Sequence, residues 1–600
     1  MIKHKAAKLT SLTPKRVALS VGLALSVMGS GAANAFSFDT GNSDVEMRWD
    51  NQIRYNAGWR IGQPNPHFYN NPGTDETDLT FKRGDMVINR LDVFSEFDFA
   101  YKKSSGFRIS AAVWDDWAYS DKKTVSNASF AATPNYRNND FNAYAKRFAA
   151  GPSGEVLDAF VYGGWNFGGS SLQVKLGQHN VYWGESMFSP TNGISYSQGA
   201  VDTMKAAVSP GAEAKELFMP TQQISGQLSV NDELSVIAQY AFDWRPFRLV
   251  PGGTYFATSD AARADFAAFA AAPIGGIPWG GDIVPDKKRG DMGLGVRWSP
   301  EWVGGTVGAY YRKFDEKLPW SVMTANMVAL APGIVIAFPR AIRFNYARDT
   351  ELFGLSLNKP VGPISFGAEL VYRKNTGLNS TGITAITVAG AEPTYEQAEG
   401  ARGNTWHVLL NGAYILPKTA LWDTGSVAME LAYQKLDKIT KNPTRYYGEG
   451  TISGGLTAGG INANCVQTLT GAGASLVQIR DHRNGCATNS ALAMNVAFTP
   501  QWPQAFPGWD LSMPTSLAWG LKGNGPALGG TFEGQYSWSL GLQADYQYRH
   551  TFAVKYIQPA HTNYLVNPAT NLAAVQNGAS NGGGVLNNHG WLSFLYKTAF

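Results

Sequence analysis

A strict alternation of apolar and polar side chains runs from Val45 to Ile61. Trp49 and Trp59 are among its apolar positions, and Arg48 and Asp50 are among its polar positions. A period of two is that of a β-strand, whose side chains point in turn to the two faces of a sheet. The stretch is about 17 residues long, roughly three times the usual strand of a soluble protein. It therefore predicts a strand of a transmembrane barrel, with an apolar face towards lipid and a charged face towards a wet lumen.

The alternation recurs along the chain, clearly at 87–102 and 535–549 and more weakly elsewhere. About 18 strands result, with 16 as the alternative, and barrels of bacterial outer membranes have even numbers. The predicted fold class is all-β, a transmembrane antiparallel β-barrel. The weaker segments lie at 105–119, 155–167, 170–178, 220–230, 233–244, 290–299, 304–316, 342–358, 363–374, 404–416, 425–437, 488–500, 511–523, 549–559 and 588–600.

Short and long gaps alternate between the predicted strands. Outer-membrane barrels have short periplasmic turns and long outer loops, so a periplasmic amino end places every long gap outside. A soluble β-sandwich or propeller would not sort its loops by length in this way. Tight turns are predicted at 103–106, 168–169, 231–232, 359–362 and 548–549. Long loops are predicted near 62–85, 120–154, 179–219, 245–289, 316–341, 375–403, 438–487 and 560–587.

The first 35 residues have the pattern of a secretory signal peptide. Five basic residues precede an apolar core at 17–28, and the segment ends in Ala33-Asn34-Ala35. The core is too short to span a membrane as a helix, which disfavours a retained anchor, and cleavage is predicted after Ala35. The mature chain, residues 36–600, is then expected to be a single barrel domain.

Removing the signal peptide changes the charge of the chain. The 50 Lys and Arg residues fall to 45, against 46 Asp and Glu. A nucleic-acid partner would need a basic patch or stripe, so none is expected. The mature chain also lacks an unbroken apolar run of about 18 residues, which excludes helical membrane spans.

The carboxyl-terminal strand ends on Phe600, with Leu592, Phe594, Tyr596 and Thr598 alternating before it. This ending resembles the terminal signal by which the insertion machinery places barrels in Gram-negative outer membranes. The expected location is therefore the outer membrane, in contact with its lipid.

Three segments give a more specific resemblance. They are FSFDTGNSDVEMRWDNQIRYNAGWR at the mature start, QHNVYWGESMFSPTNGIS, and GAEAKELFMP. Through them the whole mature chain resembles the DUF1302 family of outer-membrane proteins. The resemblance implies a barrel related to channels for hydrophobic compounds, often found with an RND-type transporter and a periplasmic lipid-carrier-like partner. It implies little about substrate, and the long loop 438–487 departs from it.

The predicted loop 179–219 holds the most specific motif and is expected to fold inward and narrow the lumen. The functional hypothesis makes its residues a constriction tied to lumen charges, and the alternative makes them anchors of the loop to the wall. The candidate residues are Gln178, Trp183, Gly184, Glu185, Ser186, Glu213, Lys215 and Glu216.

Charged residues on the inward faces of the strands are candidates for lining the lumen. Both signs occur, whereas an ion filter uses rings of one sign, so strong ion selectivity is not expected. Most of them are expected to pair across strands. They are Arg48, Asp50, Arg54, Arg90, Asp92, Glu96, Asp98, Arg108, Asp116, Asp243, Arg245, Arg297, Arg312, Glu369, Arg373, Glu430 and Asp545.

Two predicted outer loops, 259–279 and 320–338, are unusually apolar. They could form a hydrophobic capture site or pack on each other to close the mouth. The two cysteines, Cys465 and Cys486, share one outer loop, and an oxidising compartment predicts a disulfide between them. With His482 they fall short of the four ligands of a metal site, so no metal is expected. In the two apolar loops, the candidate residues for a hydrophobic capture site are Phe266, Phe269, Trp279, Trp320, Val335, Ile336 and Phe338.

The sequence thus predicts an outer-membrane channel that passes or helps export small hydrophobic or amphipathic compounds. One alternative is a non-conducting partner of a periplasmic carrier and an RND-type pump. Another is an outer-membrane lipid or ester hydrolase, but no supported catalytic motif favours an enzyme. No cofactor is implied.

Overall fold

The structure is a computed structural model, and it describes most of the chain after residue 35. The described residues are 36–129, 134–209, 212, 214–267, 276–286, 289–331, 334–388, 391–448, 485–562 and 582–600, with short strands within 456–478 and 566–573. The predicted signal peptide lies outside them. Within these ranges, every helix falls short of the length and apolar content needed to cross a membrane.

Eighteen antiparallel strands form a closed barrel in which each strand pairs with the next along the chain. The last strand pairs with the first, from Gln52 opposite Ala599 to Arg60 opposite Trp591, which closes the wall. The strands are β1 Val45–Arg60, β2 Met86–Tyr101, β3 Ser105–Asp116, β4 Ser153–Phe167, β5 Ser170–His179, β6 Thr221–Ser229, β7 Leu234–Ala241, β8 Met292–Trp298, β9 Thr306–Phe314, β10 Thr350–Val361, β11 Ile364–Gly377, β12 Arg402–Ile415, β13 Thr424–Lys441, β14 Ser490–Phe506, β15 Trp509–Ser512 with Thr515–Lys522, β16 Gln535–Tyr546, β17 His550–His561 and β18 Trp591–Ala599.

The barrel has a turn end, where short turns join the strands, and a loop end, where long segments do. A further sheet at the loop end consists of Phe266–Ala267, Ile277–Ile283, Pro319–Ala331, Ile334–Tyr346 and Ile383–Thr387. Short strands also lie at Phe36–Phe38, Ala200–Val201, Phe218–Met219, Leu456–Thr457, Gly460–Ile461, Val466–Thr468, Leu476–Gln478, Val566–Asn567 and Leu572–Ala573. Short helical turns lie at Pro66–Tyr69, Asp75–Leu79, Arg137–Asn139, Ala143–Ala145, Lys146–Ala150, Pro190–Asn192, Thr203–Val208, Ala214–Leu217, Tyr395–Ala398, Pro443–Arg445 and Gly582–Asn588.

The predicted barrel and its 18 strands are confirmed, and the alternative of 16 strands is wrong. One predicted strand, 342–358, is also wrong as a single element. Its first part ends the outer-sheet strand Ile334–Tyr346, and its second part opens β10 at Thr350. The strand is interrupted between them at Asp349, whose φ of 54° is left-handed and cannot continue a strand.

The two faces of the wall differ as the alternation predicts. Outward side chains such as Leu355 and Leu540 are 56% and 47% exposed. Inward charged side chains such as Arg54 and Glu430 are buried. An apolar exterior around a polar interior is the arrangement that a lipid bilayer requires of a barrel.

The outer loops pack on one another above the loop end. Phe81, Tyr119, Tyr136, Phe141 and Tyr255 form an aromatic cluster, with T-shaped contacts such as 5.3 Å between the ring centres of Phe81 and Tyr119. T-shaped pairs are a favourable geometry for such rings. The loops around β1, β2, β3 and β7 are thereby joined into one cap.

Three of the buried carboxyl groups of this cap, those of Asp75, Glu76 and Asp260, have raised pKa values. Asp260 accepts hydrogen bonds from the backbone N–H groups of Glu76 (2.9 Å) and Thr77 (2.7 Å). Burial raises the pKa of Asp75 to about 6, and the charge of Glu76 adds to the rise. Burial also raises the pKa values of Glu76 and Asp260.

These raised pKa values predict that the cap is less stable at neutral than at acidic pH. A carboxyl whose pKa is higher in the folded state stabilises that state while it is protonated, and the contribution is lost as pH rises from about 4 through the folded pKa. Hydrogen exchange of the Glu76 and Thr77 amides, corrected for its intrinsic pH dependence, should be faster at pH 7.5 than at pH 5. Asp260→Asn should flatten this difference.

Asp85→Asn is the matched control, because hydrogen bonds from the Lys82 backbone N–H (3.0 Å) and from the Lys122 side chain (3.1 Å) lower the pKa of Asp85 despite its partial burial. It should leave the difference in place. Equal exchange at the two pH values in the unaltered protein would contradict the argument.

Candidate functional site

The described residues of 180–220 (all but 210, 211 and 213), between β5 and β6, fold into the barrel and are called here the inner segment. The segment runs from its own strands to the wall at β11 and β13, which are six and eight strands further round from β5. Its first half, 180–198, contains the short helical turn Pro190–Asn192, and its second half contains the helices Thr203–Val208 and Ala214–Leu217. The predicted loop 179–219 is therefore placed across the lumen.

Two wall carboxylates hold the tip of the inner segment by its backbone. Glu369 of β11 accepts hydrogen bonds from the N–H groups of Glu185, Ser186 (2.9 Å) and Ile194 (2.6 Å). Glu430 of β13 accepts three more from consecutive residues of the segment. These donors are Met187 (2.6 Å), Phe188 (3.1 Å) and Ser189 (2.6 Å). Hydrogen bonds to a charged acceptor are about twice as strong as neutral ones.

Two wall arginines hold the adjoining carbonyl groups. Arg312 of β9 donates to the carbonyl oxygens of Ile194 and Tyr196, both at 2.7 Å. Arg373 of β11 donates to those of Thr191 (2.7 Å) and Gly193 (3.3 Å). The Arg373 guanidinium also lies 3.8 Å from the centre of the Tyr196 ring, a cation–π contact.

The motif glycine, Gly184, makes room for the first of these carboxylates. Its φ of +95° is one that residues other than glycine rarely adopt, because they carry a Cβ atom. A Cβ atom at this position would also overlap the Glu369 carboxylate and would lie 3.1 Å from Ile194. Glycine is therefore required both by the turn and by the approach of Glu369.

Apolar side chains fill the space between the inner segment and the wall. Trp183 is buried, with its ring centre 6.0 Å from that of Tyr310 on β9. Ile194 and Tyr196 pack in the same cluster, which includes Leu352 and Val371 of the wall as well. The motif tryptophan is thus a packing residue on this wall.

The second half of the inner segment contacts the wall at β1–β3. Arg54 and Glu216 form a buried bidentate ion pair, in which the guanidinium donates two hydrogen bonds of 2.8 and 2.9 Å to the carboxylate. Lys215 lies 3.5 Å from Glu96, and Ser209 donates to Asp92 at 3.1 Å. Glu213 lies outside the described residues.

Gln178 lies at the end of β5, outside the crossing part of the segment. Its side-chain amide donates to the carbonyl oxygens of Val156 (2.9 Å) and Leu157 (2.6 Å) on β4. Glu185 contacts the wall through its side chain, because Asn358 of β10 donates to its carboxylate at 2.8 Å. The Ser186 side chain is buried beneath the same turn.

The remaining lumen candidates form contacts along the wall. Asp50, Glu96 and Asp98 each bring a carboxylate oxygen within 4.8 Å of the others, a spacing that could hold a cation. However, Arg48 lies 2.7 Å from Asp50, and Arg108 lies 2.7 Å from Asp98 and 3.7 Å from Glu96. The acidic group is therefore matched by basic side chains, and we propose no metal there.

Several other predicted lumen charges also meet partners. Arg90 pairs with Asp92 on the wall at 3.0 Å, whereas Asp243 and Arg245, 3.3 Å apart, lie in the loop after the end of β7 at Ala241. Asp116 accepts from the Asn89 N–H at 2.9 Å. Two further contacts are Arg297 with the Tyr310 hydroxyl (3.4 Å) and Asp545 with the Gln543 side chain (2.8 Å).

The apolar outer loops are divided between packing and exposure. Trp320 is buried, and Trp279 packs edge-on against Phe344 with ring centres 4.8 Å apart. Val335 and Ile336, near the hairpin tip, are 53% and 38% exposed. The remaining candidates Phe266 and Phe338 are partly buried in the outer sheet, and Phe269 lies outside the described residues.

The predicted disulfide between Cys465 and Cys486 stays a prediction, because only Cys486 lies within the described residues. Cys486 is buried beside Tyr447, and its carbonyl oxygen accepts a hydrogen bond from Asn524 at 2.9 Å. Cys465 and His482 lie outside the described residues.

The sequence pattern did not predict some of the contacts that hold this site together. Asn411 of β12 donates to the carbonyl oxygen of Glu185 at 2.6 Å, and His407 contacts Asn192 at 3.0 Å. In each of these two contacts the residues lie more than 200 positions apart in the chain, so only the fold brings them together. Inward position on a predicted strand was the one signal that could have marked them.

Comparison with known proteins gives one family and a group of distant structures. The family described as "Protein of unknown function (DUF1302)" matches residues 16–600. OccAB1 of Acinetobacter baumannii is 9% identical over 95% of this chain and 99% of its own, with a TM-score of 0.39. OccK1 (OpdK) of Pseudomonas aeruginosa is 9% identical over 92% and 98%, with a TM-score of 0.36. The outer membrane channel DcaP of A. baumannii is 8% identical over 94% and 100%, with a TM-score of 0.33. No curated protein matches the chain.

Glu369→Gln should loosen the tip of the inner segment without unfolding the barrel. A neutral amide is a weaker acceptor, and its NH2 group cannot accept from the backbone N–H groups. Loss of hydrogen bonds to a charged group costs about 1.5–3 kcal/mol. Exchange of the Ser186 and Ile194 amides should therefore rise about tenfold or more.

The matched control is Asp545→Asn. Asp545 is also a lumen acid, but its described contacts are to Gln543 and Thr551 of the wall. This variant should leave exchange of the Ser186 and Ile194 amides unchanged. Equal exchange in the Glu369 variant and the unaltered protein would show that the carboxylate does not hold the segment.

Proposed function

Because this chain belongs to the DUF1302 family, which is defined without a function, we propose one from the geometry. The protein is an outer-membrane channel whose lumen is closed at rest by the inner segment. It passes, or helps export, small hydrophobic or amphipathic compounds. The turn end faces the periplasm and the loop end faces the outside, as in other barrels of this membrane.

The observation that carries this proposal is the way in which the inner segment is held. Its tip is fastened to the wall by hydrogen bonds from ionisable side chains, chiefly Glu369, Glu430, Arg312 and Arg373. Such contacts can be exchanged for contacts with water when the segment moves.

The charges of the lumen support a solute without strong net charge. Basic and acidic side chains alternate on β1–β3, as in the pairs of Arg48 with Asp50 and Arg108 with Asp98. An ion-selective path would present one sign. We therefore expect little selectivity between small anions and cations once the path is open.

Deleting residues 184–203 should open the lumen. This removes the tip that Glu369 and Glu430 hold, while β5 and β6 remain in place. In a planar bilayer, the unaltered protein should show rare or no conductance steps and the deletion variant should show steady ones. The double variant Glu369→Gln/Glu430→Gln keeps the chain length and should give an intermediate, flickering conductance.

Unchanged conductance in both variants would contradict a gated channel. Steady conductance in the unaltered protein would instead indicate an open pore for small polar solutes. Asp545→Asn is again the control for a lumen acid with contacts to the wall alone.

A non-conducting platform for a periplasmic carrier and an RND-type pump is the second candidate, since a filled lumen suits it equally well. Recovery of such partners by pull-down, together with silence of both opened variants, would favour it. A hydrolase is not proposed. The described contact between His179 and the Ser225 hydroxyl (2.7 Å) has the other ring nitrogen on the Gly177 carbonyl oxygen (3.0 Å), where a catalytic triad has a carboxylate.

A further inference from the structure

The inner segment exposes three large apolar or aromatic side chains inside the barrel. Tyr182 and Met187 are each 44% exposed, and Phe188 is 40% exposed. They flank the motif residues 183–186, of which Trp183 is buried. Apolar side chains on the outer wall meet lipid, but these three lie on a segment within the lumen. Their exposure therefore needs a different explanation.

Contacts within the segment and with the wall hold these residues in place, and the Tyr182 hydroxyl lies 3.5 Å from the carbonyl oxygen of Ser186, next to Met187. Phe218, from the end of the inner segment, packs edge-on against Tyr182 with ring centres 5.7 Å apart. The backbone N–H groups of Met187 and Phe188 are held by Glu430. We call Tyr182, Met187, Phe188 and Phe218 the apolar platform.

Met187 and Phe188 lie in the half of the barrel near the turn end, whereas Tyr182 and Phe218 are each three residues from the loop-end termini of β5 and β6. The neighbouring Glu185 contacts Asn358, three residues from the end of β10, and Asn411, four residues from the end of β12. Residues 191–196 are held further towards the loop end, by Arg312 and Arg373. Met187 and Phe188, which follow Glu185, therefore lie nearer to the turn end than residues 191–196 do.

The wall at this level differs from one side of the barrel to the other. Strand alternation places small uncharged residues inward below Glu369, Asn411 and Glu430. They include Ser365, Gly367, Ala413 and Ala428. On β1–β3, by contrast, the inward residues at the same distance from the turn end are charged. They include Arg48, Asp98 and Arg108.

We propose that the apolar platform is a binding site for an amphipathic aromatic solute that enters from the turn end. The apolar body of the solute lies on Tyr182, Met187 and Phe188. Its polar end stays in the water of the lumen, towards the charged side of the wall. The inference rests on the proposed function and adds to it a place of binding, a class of solute and the periplasm as its source.

Equilibrium binding of radiolabelled 1-naphthol tests this site without requiring transport. The protein is held in lipid nanodiscs, and uptake by empty nanodiscs is subtracted. The triple variant Tyr182→Ser/Met187→Ser/Phe188→Ser should bind about tenfold more weakly, which corresponds to about 1.4 kcal/mol. These substitutions keep the backbone N–H groups that bind Glu430.

The matched control is Met327→Ser/Val335→Ser, which removes equally exposed apolar side chains from the outer hairpin, 52% and 53% exposed. It should leave 1-naphthol binding unchanged. Equal affinity of the triple variant and the unaltered protein, or an equal loss in the control, would overturn the proposal. If the triple variant fails to fold, Phe188→Ser alone should still weaken binding at least twofold, and no change would overturn it.

A thiol at the platform tests the direction of access. Phe188→Cys in oriented membranes should react with a membrane-impermeant maleimide added on the turn-end side, and 1-naphthol should slow the reaction. Reaction from the loop end alone would overturn entry from the periplasm. The binding proposal and the channel proposal can fail separately. If the triple variant weakens 1-naphthol binding but the protein and its opened variants never conduct, the binding site is supported and the channel proposal fails.

Discussion

A segment that enters a closed barrel cannot pair its backbone with the strands around it, because those strands have already used their N–H and C=O groups on one another. Buried backbone groups nevertheless have to be paired. Side chains of the wall are the remaining partners, and here Glu369 and Glu430 accept from N–H groups while Arg312 and Arg373 donate to carbonyl groups. The position of the inner segment depends on these four side chains.

The same constraint accounts for part of the mixed charge of the lumen. An inserted backbone presents both donors and acceptors, so the wall that receives it needs acids for the first and arginines for the second. Charges that would suggest solute selection in an open pore act here as backbone partners. The side chains left for a solute are then the uncharged ones on the platform and the paired charges near the turn end.

The sequence predicted the barrel well because its signal is local. Each strand shows a period of two over many residues, and loop length distinguishes the two ends. The same signal misled at 342–358, since strands of the outer sheet also alternate and the break at Asp349 is a single residue. The inner segment was found by its length and motif, but the contact of Glu185 with Glu369 joins residues 184 positions apart. The exposure of Tyr182 and Phe188 depends on that packing, so no sequence pattern could show it.

The crossing of the lumen by the inner segment has a mechanical consequence. A barrel wall that is one sheet thick can flatten under pressure from one side. A connection between distant parts of the wall opposes this flattening. The segment joins β1 and β2, through Arg54 and Asp92, to β11 and β13, through Glu369 and Glu430. The inner segment therefore connects two distant parts of the wall. Withdrawing it would remove this connection, so the cross-section of the emptied barrel would then depend on the closed ring of strand pairs alone.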